Sequence, residues 1–350
     1  MVTAYEGAWN AVSICMGVKS KDRVLVVTDN ASYKVGELIE QAANNVTKKT
    51  SMYILEDFGE RPLKLLPAKI QRAIKKSNVT FWAAESLGDE LGYVRIPFYK
   101  LAIRYARHAH MPGVTLQMLE QGMGADYDKV YKLTNHLHEI VKNVKKIEIE
   151  NPVGTDLRVQ LNPEWTWKPC HGIYHKKGDW GNLPEGELFT AGFLVNGHMV
   201  VDELGDFFSK EYGILTRPEK ETDTPLYLDV VDSRVDFDSI ECDIPGLKEK
   251  LITYLKFDEN SNRAGEVAIP TNEYVMGLPL IGDLLQDEKA RVHVAFGDPY
   301  KHETGADWES KKHLDMLMKN CTVRVDGRLL MRDDRYVSDI DLIRKGNNLI

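Results

Sequence analysis

The chain has 350 residues, 43% hydrophobic and 28% charged, with a formal net charge of −8, so two domains, each long enough for its own core, are the natural expectation. The acidic balance argues against a nucleic-acid partner, because phosphate binding needs clustered Lys and Arg, and the runs Lys75-Lys76 and Lys142 to Lys146 read as solvated helix faces. No apolar stretch reaches the roughly 18 residues of a membrane helix, Met1 to Glu6 shows no signal pattern, and the four cysteines form no CxxC pair; the chain reads as a cytoplasmic protein.

In chain order, Arg23 to Thr28 is continuous and β-branched, as in a strand covered on both faces. An amphipathic stretch from Tyr33 to Val46 follows, then a strand near Ser51 to Leu55, a helix near Leu63 to Lys76, a strand over Val79 to Ala84, and a longer helical region from Tyr99 to Lys146. Strands alternating with helices imply parallel βαβ units. The turn after the first strand, Asp29-Asn30-Ala31-Ser32, has no GxGxxG, which argues against a dinucleotide cofactor. From about residue 146 the pattern changes to alternating strands at Lys146 to Glu150 and Asp156 to Leu161, with more at Leu226 to Val231, Arg291 to Phe296 and Thr322 to Val325, and a helix near Pro245 to Leu255. The fold class is therefore α/β: a doubly wound α/β domain over 1–145, and a β-rich α+β metal-binding domain over 146–350.

The chemistry is concentrated in the second half. In Lys312-His313-Leu314-Asp315, a strand would aim His313 and Asp315 at one point, giving two thirds of a metal site. A strand-borne His with a carboxylate is also a common structural pair. His293, in Arg291 to Gly297, falls in a core strand, where it is either hydrogen-bonded to backbone or a metal ligand with its second nitrogen anchored. Glu187 and Glu266 sit among apolar residues, where glutamate is rare unless paired or bound to a cation. With the histidines they would make a site able to hold two divalent ions and a bridging water.

Four blocks, Gly186-Glu187-Leu188-Phe189-Thr190-Ala191, Gly265-Glu266-Val267-Ala268, His293 to Gly297 and His313-Leu314-Asp315, resemble in order and spacing the thermophilic metallo-aminopeptidase (aminopeptidase T) family. The resemblance covers residues 146 to 331. It implies a two-metal exopeptidase acting on peptide N-termini, with Glu187, Glu266, His293, His313 and Asp315 as ligands of Zn, Co or Mn. It also implies Tyr300 as an oxyanion donor, Glu266 as the proton shuttle, and a homodimer. The stretch Lys301 to Lys312 and the segment after Asp315 depart from the family pattern.

The same blocks resemble the 2,5-dihydroxypyridine ring-cleaving dioxygenases, which would use His293, His313 and Asp315 alone as a facial triad for Fe(II). A non-catalytic, metal-stabilised module or an inactive relative is the third reading. The glutamates discriminate, since a mononuclear iron site does not need them. Elsewhere, His171 and His175 follow Cys170 in a loop that the sequence places near the site mouth, and Trp165, Trp167 and Trp180 lie close by. His136 and His138, two apart on a predicted helix, cannot face one ligand. His108 and His110 are expected near a helix end, capping or in solvent.

Overall fold

The computed structural model describes residues 2–205, 207–216 and 224–337. The elements in chain order begin with α1 (Ala4–Trp9), β1 (Val24–Thr28), α2 (Tyr33–Val46), β2 (Thr50–Ile54), α3 (Ala68–Ile74), β3 (Val79–Ala83), α4 (Ile96–Tyr105), β4 (Arg107–His110), α5 (Leu116–Glu120) and α6 (Tyr127–Val141). Next come β5 (Lys146–Glu150), β6 (Asp156–Gln160), β7 (Lys168–Cys170), β8 (Trp180–Asn182), β9 (Glu187–Thr190), β10 (Leu194–Val201), β11 (Glu203–Leu204), α7 (Phe207–Tyr212), β12 (Leu226–Val231) and β13 (Arg234–Glu241). The remainder are α8 (Leu247–Leu255), β14 (Ala264–Pro270), α9 (Glu273–Met276), α10 (Leu284–Asp287), β15 (Val292–Gly297), α11 (Lys301–Thr304), β16 (His313–Met318), β17 (Thr322–Val325), β18 (Arg328–Arg332) and β19 (Arg335–Tyr336).

The chain divides into two compact units, one of residues 1–131 with 171–186, the other of 132–170 with 187–350. The first is built on a five-stranded parallel sheet in the order β2-β1-β3-β4-β8. The order reverses between β1 and β3, the mark of a doubly wound sheet. All five residues of β1 and of β3 are buried, which explains their unbroken apolar reading. In α2 the buried positions Val35, Ile39, Ala42 and Ala43 follow helical spacing and define its packed face.

The helical region expected from Tyr99 to Lys146 is interrupted. α4 ends at Tyr105, and Arg107 to His110 form β4 within the parallel sheet. His108 and His110 are therefore on a strand, not at a helix end. The Thr80 hydroxyl lies 3.0 Å from His108 Nδ1, and His108 Nε2 lies 3.2 Å from His110 Nδ1. Burial makes the imidazolium costly, pushing His108 down to about 3 and His110 well below its ordinary value, where the His108 charge adds to the effect.

The second unit carries two antiparallel sheets. The eight-stranded sheet has the order β13-β12-β10-β6-β5-β17-β18-β19. In β5 and β6 alternate residues, Ile147 and Ile149, Leu157 and Val159, enter the core while their neighbours stay at or near the surface. The six-stranded sheet runs β11-β16-β15-β14-β9-β7. One set of its side chains, including Leu188, Val267, Ile269, Val292, Val294, Phe296, Leu314 and Met316, belongs to the same core. No helix among the described residues is long and apolar enough to cross a membrane.

Candidate metal centre

Four adjacent strands of the six-stranded sheet carry the five residues singled out in the sequence: Glu187 on β9, Glu266 on β14, His293 on β15, and His313 with Asp315 on β16. The register brings them together. Ala295 is the cross-strand partner of both Glu266 and Asp315, Ala268 that of His293, and Gly297 that of His313. Because residues two apart share a face, the ligating side chains stand over a floor of Ala and Gly. Small partners leave room at the centre for the five longer side chains to converge.

Two glycines make that register possible. The β14–β15 pairing shifts between Ala264 and Glu266, so Gly265 is the extra residue of a bulge that re-aims Glu266. A Cβ on Gly265 would fall 2.6 Å from the Gly297 carbonyl oxygen. Gly297 has φ +118°, and a Cβ there would meet the Lys312 carbonyl oxygen at 2.0 Å. Only a residue without a side chain lets β15 pass so close to the backbone that presents His313.

Both imidazoles are anchored through Nδ1. His293 Nδ1 is 3.1 Å from the Arg291 carbonyl and His313 Nδ1 is 2.9 Å from the Asp298 carbonyl. A carbonyl only accepts, so Nδ1 is the donor in each case and Nε2 points to the carboxylates. His313 Nε2 lies 3.3 Å from Asp315 Oδ1 and 3.5 Å from Glu266 Oε2. His293 Nε2 lies 3.6 Å from Glu266 Oε1, 3.7 Å from Asp315 Oδ1 and 3.8 Å from Glu187 Oε2.

These distances define two sets of metal-competent groups, Glu187–Glu266–His293 and Glu266–His313–Asp315, each with its ligand atoms within 4.8 Å of one another. Glu266 belongs to both, one oxygen facing each imidazole. Glu187, Glu266, His293 and Asp315 are buried and His313 is half-buried. The Glu187 Oε2 atom is buried without a hydrogen-bond partner. A buried carboxylate oxygen left unpaired is costly, and a divalent ion is the partner its surroundings suit. The donor set of carboxylates and imidazoles fits Zn, Co, Mn or Fe(II).

The charges are strongly coupled. Burial opposes the imidazolium of His313, but the Asp315 and Glu266 carboxylates outweigh it and lift His313 to about 10. For His293 the same burial is overcome by Glu266, Asp315 and Glu187, giving about 9. Burial would raise Asp315, yet His313, His293 and Lys289 hold it down at about 2. Glu266 is raised, first by burial and then by its carboxylate neighbours Glu187 and Asp315, against the pull of the histidines.

Tyr300 stands beside this cluster, its ring centroid 4.6 Å from that of His313 and 5.7 Å from that of Phe189. Its φ of 49° is an uncommon left-handed conformation for a tyrosine, held by the turn that follows β15. The residue is 42% exposed. Its phenol is nevertheless pushed well above its ordinary value, by surrounding protein and then by Glu266, Asp315, Glu288 and Asp298.

Two residues of the centre escaped the sequence reading. Lys289 is 0% exposed, and its ammonium donates to Glu187 Oε1 at 2.5 Å and reaches Glu288 Oε1 at 2.7 Å. Burial, then Glu187 and Asp315, lift Glu288 to about 8 against the pull of Lys289. Both lie in Gln286-Asp287-Glu288-Lys289, a polar run that reads as an exposed turn. A turn at the mouth of a core strand, ending four residues before the candidate ligand His293, is the available signal.

The histidine loop behaves differently. His171 packs beside Tyr131 at 4.8 Å between centroids, with its Nδ1 accepting from the Ile173 amide, while His175 Nε2 pairs with the Ile14 carbonyl at 2.8 Å. Both are engaged within the first unit. Trp165 packs on Trp308 and Phe193, Trp167 joins the core of the second unit, and Trp180 packs on Tyr99 in the first.

Fold and site together define a class: an α/β unit joined to an antiparallel β-rich unit whose central strands present a carboxylate–imidazole centre. Two solved structures share that fold. The 2,5-dihydroxypyridine dioxygenase from Pseudomonas putida KT2440 superposes with a TM-score of 0.68 at 16% identity, over 97% of this chain and 99% of that one. AmpT from Thermus thermophilus superposes with a TM-score of 0.64 at 18% identity, over 95% of this chain and 98% of that one. No family model and no curated protein matches the chain by sequence.

Proposed function

We propose that the chain is a metal-dependent hydrolase of the aminopeptidase type, which releases amino-terminal residues from peptides. The observation that carries this reading is the pair of ligand sets joined at Glu266, with both glutamates buried among the histidines. A divalent pair, when bound, supplies a Lewis acid for the peptide carbonyl and brings the pKa of a water near neutrality. Glu266, with one oxygen toward each imidazole, bridges the two subsites. Glu266 is also the candidate to carry the proton of the attacking water to the leaving amine. The Tyr300 hydroxyl stays protonated and donates to the developing oxyanion. A free α-amino group would bind a metal or a nearby carboxylate, so cleavage would proceed from the end of the chain.

The test compares metal-loaded protein on peptides with free and with acetylated amino termini. Stepwise release from the free peptides alone, lost in Glu266→Ala and His313→Ala, is the expected result. Equal cleavage of both kinds, or of neither, would sink the reading.

One observation favours the second reading. Asp315 Oδ1 lies within 3.7 Å of both imidazole Nε2 atoms, so His293, His313 and Asp315 offer the donor types of a two-histidine, one-carboxylate face. Those residues would hold a single Fe(II), which would supply the chemistry for opening a dihydroxylated ring with dioxygen. Anaerobic loading with Fe(II), followed by oxygen and 2,5-dihydroxypyridine, tests it directly, and ring cleavage indifferent to Glu187→Ala would establish it over the hydrolase.

A further inference from the structure

Among the carboxylates of the centre sits one cation supplied by the chain itself. Lys289 follows α10 and precedes β15, and it is 0% exposed. A lysine is seldom fully buried, and keeping its charge there requires close partners. Its ammonium has them in Glu187 at 2.5 Å and Glu288 at 2.7 Å. One oxygen of Glu187 is thus held by the lysine. The other, Oε2, is buried without a hydrogen-bond partner and faces His293 Nε2 at 3.8 Å.

An ammonium and a divalent ion compete for carboxylate oxygens, and their like charges repel across the few ångströms between them. The two ligand sets are therefore not equivalent. Glu266–His313–Asp315 is the set without Glu187, whereas Glu187–Glu266–His293 includes the carboxylate to which the ammonium is bonded. We propose that Lys289 is a resident cation that makes the centre asymmetric: a divalent ion fills the Glu266–His313–Asp315 subsite first, and the Glu187–Glu266–His293 subsite takes a second ion only against the ammonium beside it. This inference rests on the metal-centre reading above. It adds that the number of ions carried is set by Lys289.

The experiment is a titration of the metal-stripped full chain with Co²⁺ and with Zn²⁺, read by calorimetry and by metal content after gel filtration. It uses the wild type, Lys289→Gln, which removes the charge and keeps a donor, and Lys289→Arg, which keeps the charge. The wild type is expected to retain one ion and to bind a second at least about tenfold more weakly, with the second tightened at least about tenfold in Lys289→Gln and unchanged in Lys289→Arg. Two ions of equal affinity in the wild type, or a second affinity that is the same in wild type and Lys289→Gln, would overturn the proposal. If Lys289→Gln does not fold, Lys289→Met, which also removes the charge, takes its place in the comparison. Glu266→Ala separates this inference from the reading beneath it: Glu266 belongs to both sets, so if that variant loads its ions normally the metal centre itself is wrong, whatever Lys289 does, whereas normal loading of the first ion in His313→Ala would overturn the proposed order of filling.

Discussion

His293 and His313 are held as imidazolium ions by the carboxylates around them, and that fixes how the metal-free chain must respond to pH. Their folded values near 9 and 10 exceed the ordinary value of about 6.5. The stability they contribute is complete below about pH 6.5 and disappears as pH rises through the folded values. Glu288, at about 8, acts in the same direction. Denaturant unfolding of chelator-treated protein is therefore expected to show falling stability from pH 7 to 10, and a rise over that range would contradict the geometry. Ion binding has the opposite slope, because each Nε2 must lose its proton to ligate. Affinity is expected to climb between pH 7 and 9, with proton uptake by the buffer measurable by calorimetry. Tyr300 makes a separate prediction. Tyr300→Phe removes the phenol and leaves every ligand in place, so metal content holds while turnover on a susceptible peptide drops by about 10²–10³-fold. Loss of metal together with activity would show that the tyrosine supports the ligands instead.

At the scale of the strand, the centre depends on residues that ligate nothing. Gly297→Ala would drive a Cβ into the Lys312 carbonyl and press on the His313 amide, 3.3 Å away. The substitution is expected to destabilise the protein by roughly 1–3 kcal/mol and to weaken ion binding, although no ligand is altered. A variant with native metal affinity would show that the β15–β16 approach does not place His313. The same strands explain what the sequence discloses. His313 and Asp315 are legible because strand alternation is local, and β1, α2 and β3 because burial on both faces or one stripe leaves an unbroken or 3.6-residue pattern. Lys289 is not legible, since its partner Glu187 lies 102 positions away and the polar run around it matches any surface turn. β4 was hidden for a related reason: Arg107-His108-Ala109-His110 carries too few β-branched residues to stand out between helices. Its strand character comes from pairing with β3 and β8 and not from its own composition.

For the molecule as a whole, all five candidate ligands, with Glu288, Lys289 and Tyr300, belong to the second unit. Their strands share one apolar core with β5, β6, β10 and β17, so an ion that tightens the six-stranded sheet is coupled to that core. The first unit has an apolar core of its own, built from residues such as Leu25, Val27, Ile70, Trp82 and Phe98. A ligand that binds only the folded state stabilises it by about 2.7 kcal/mol at a hundredfold excess over its dissociation constant. That stabilisation falls on the unit that holds the site. Metal loading is therefore expected to slow amide exchange in β9, β14, β15 and β16 and to leave β1 and β3 unchanged, with chelation reversing the effect. Exchange slowed equally in both units would mean that the ion acts on the chain as one cooperative body. Exchange slowed in neither would mean that the carboxylate–imidazole cluster stands without an ion. In that case the buried Glu187 and Lys289 would be parts of a structural ion-pair network, and the reading as an inactive relative would replace the enzyme.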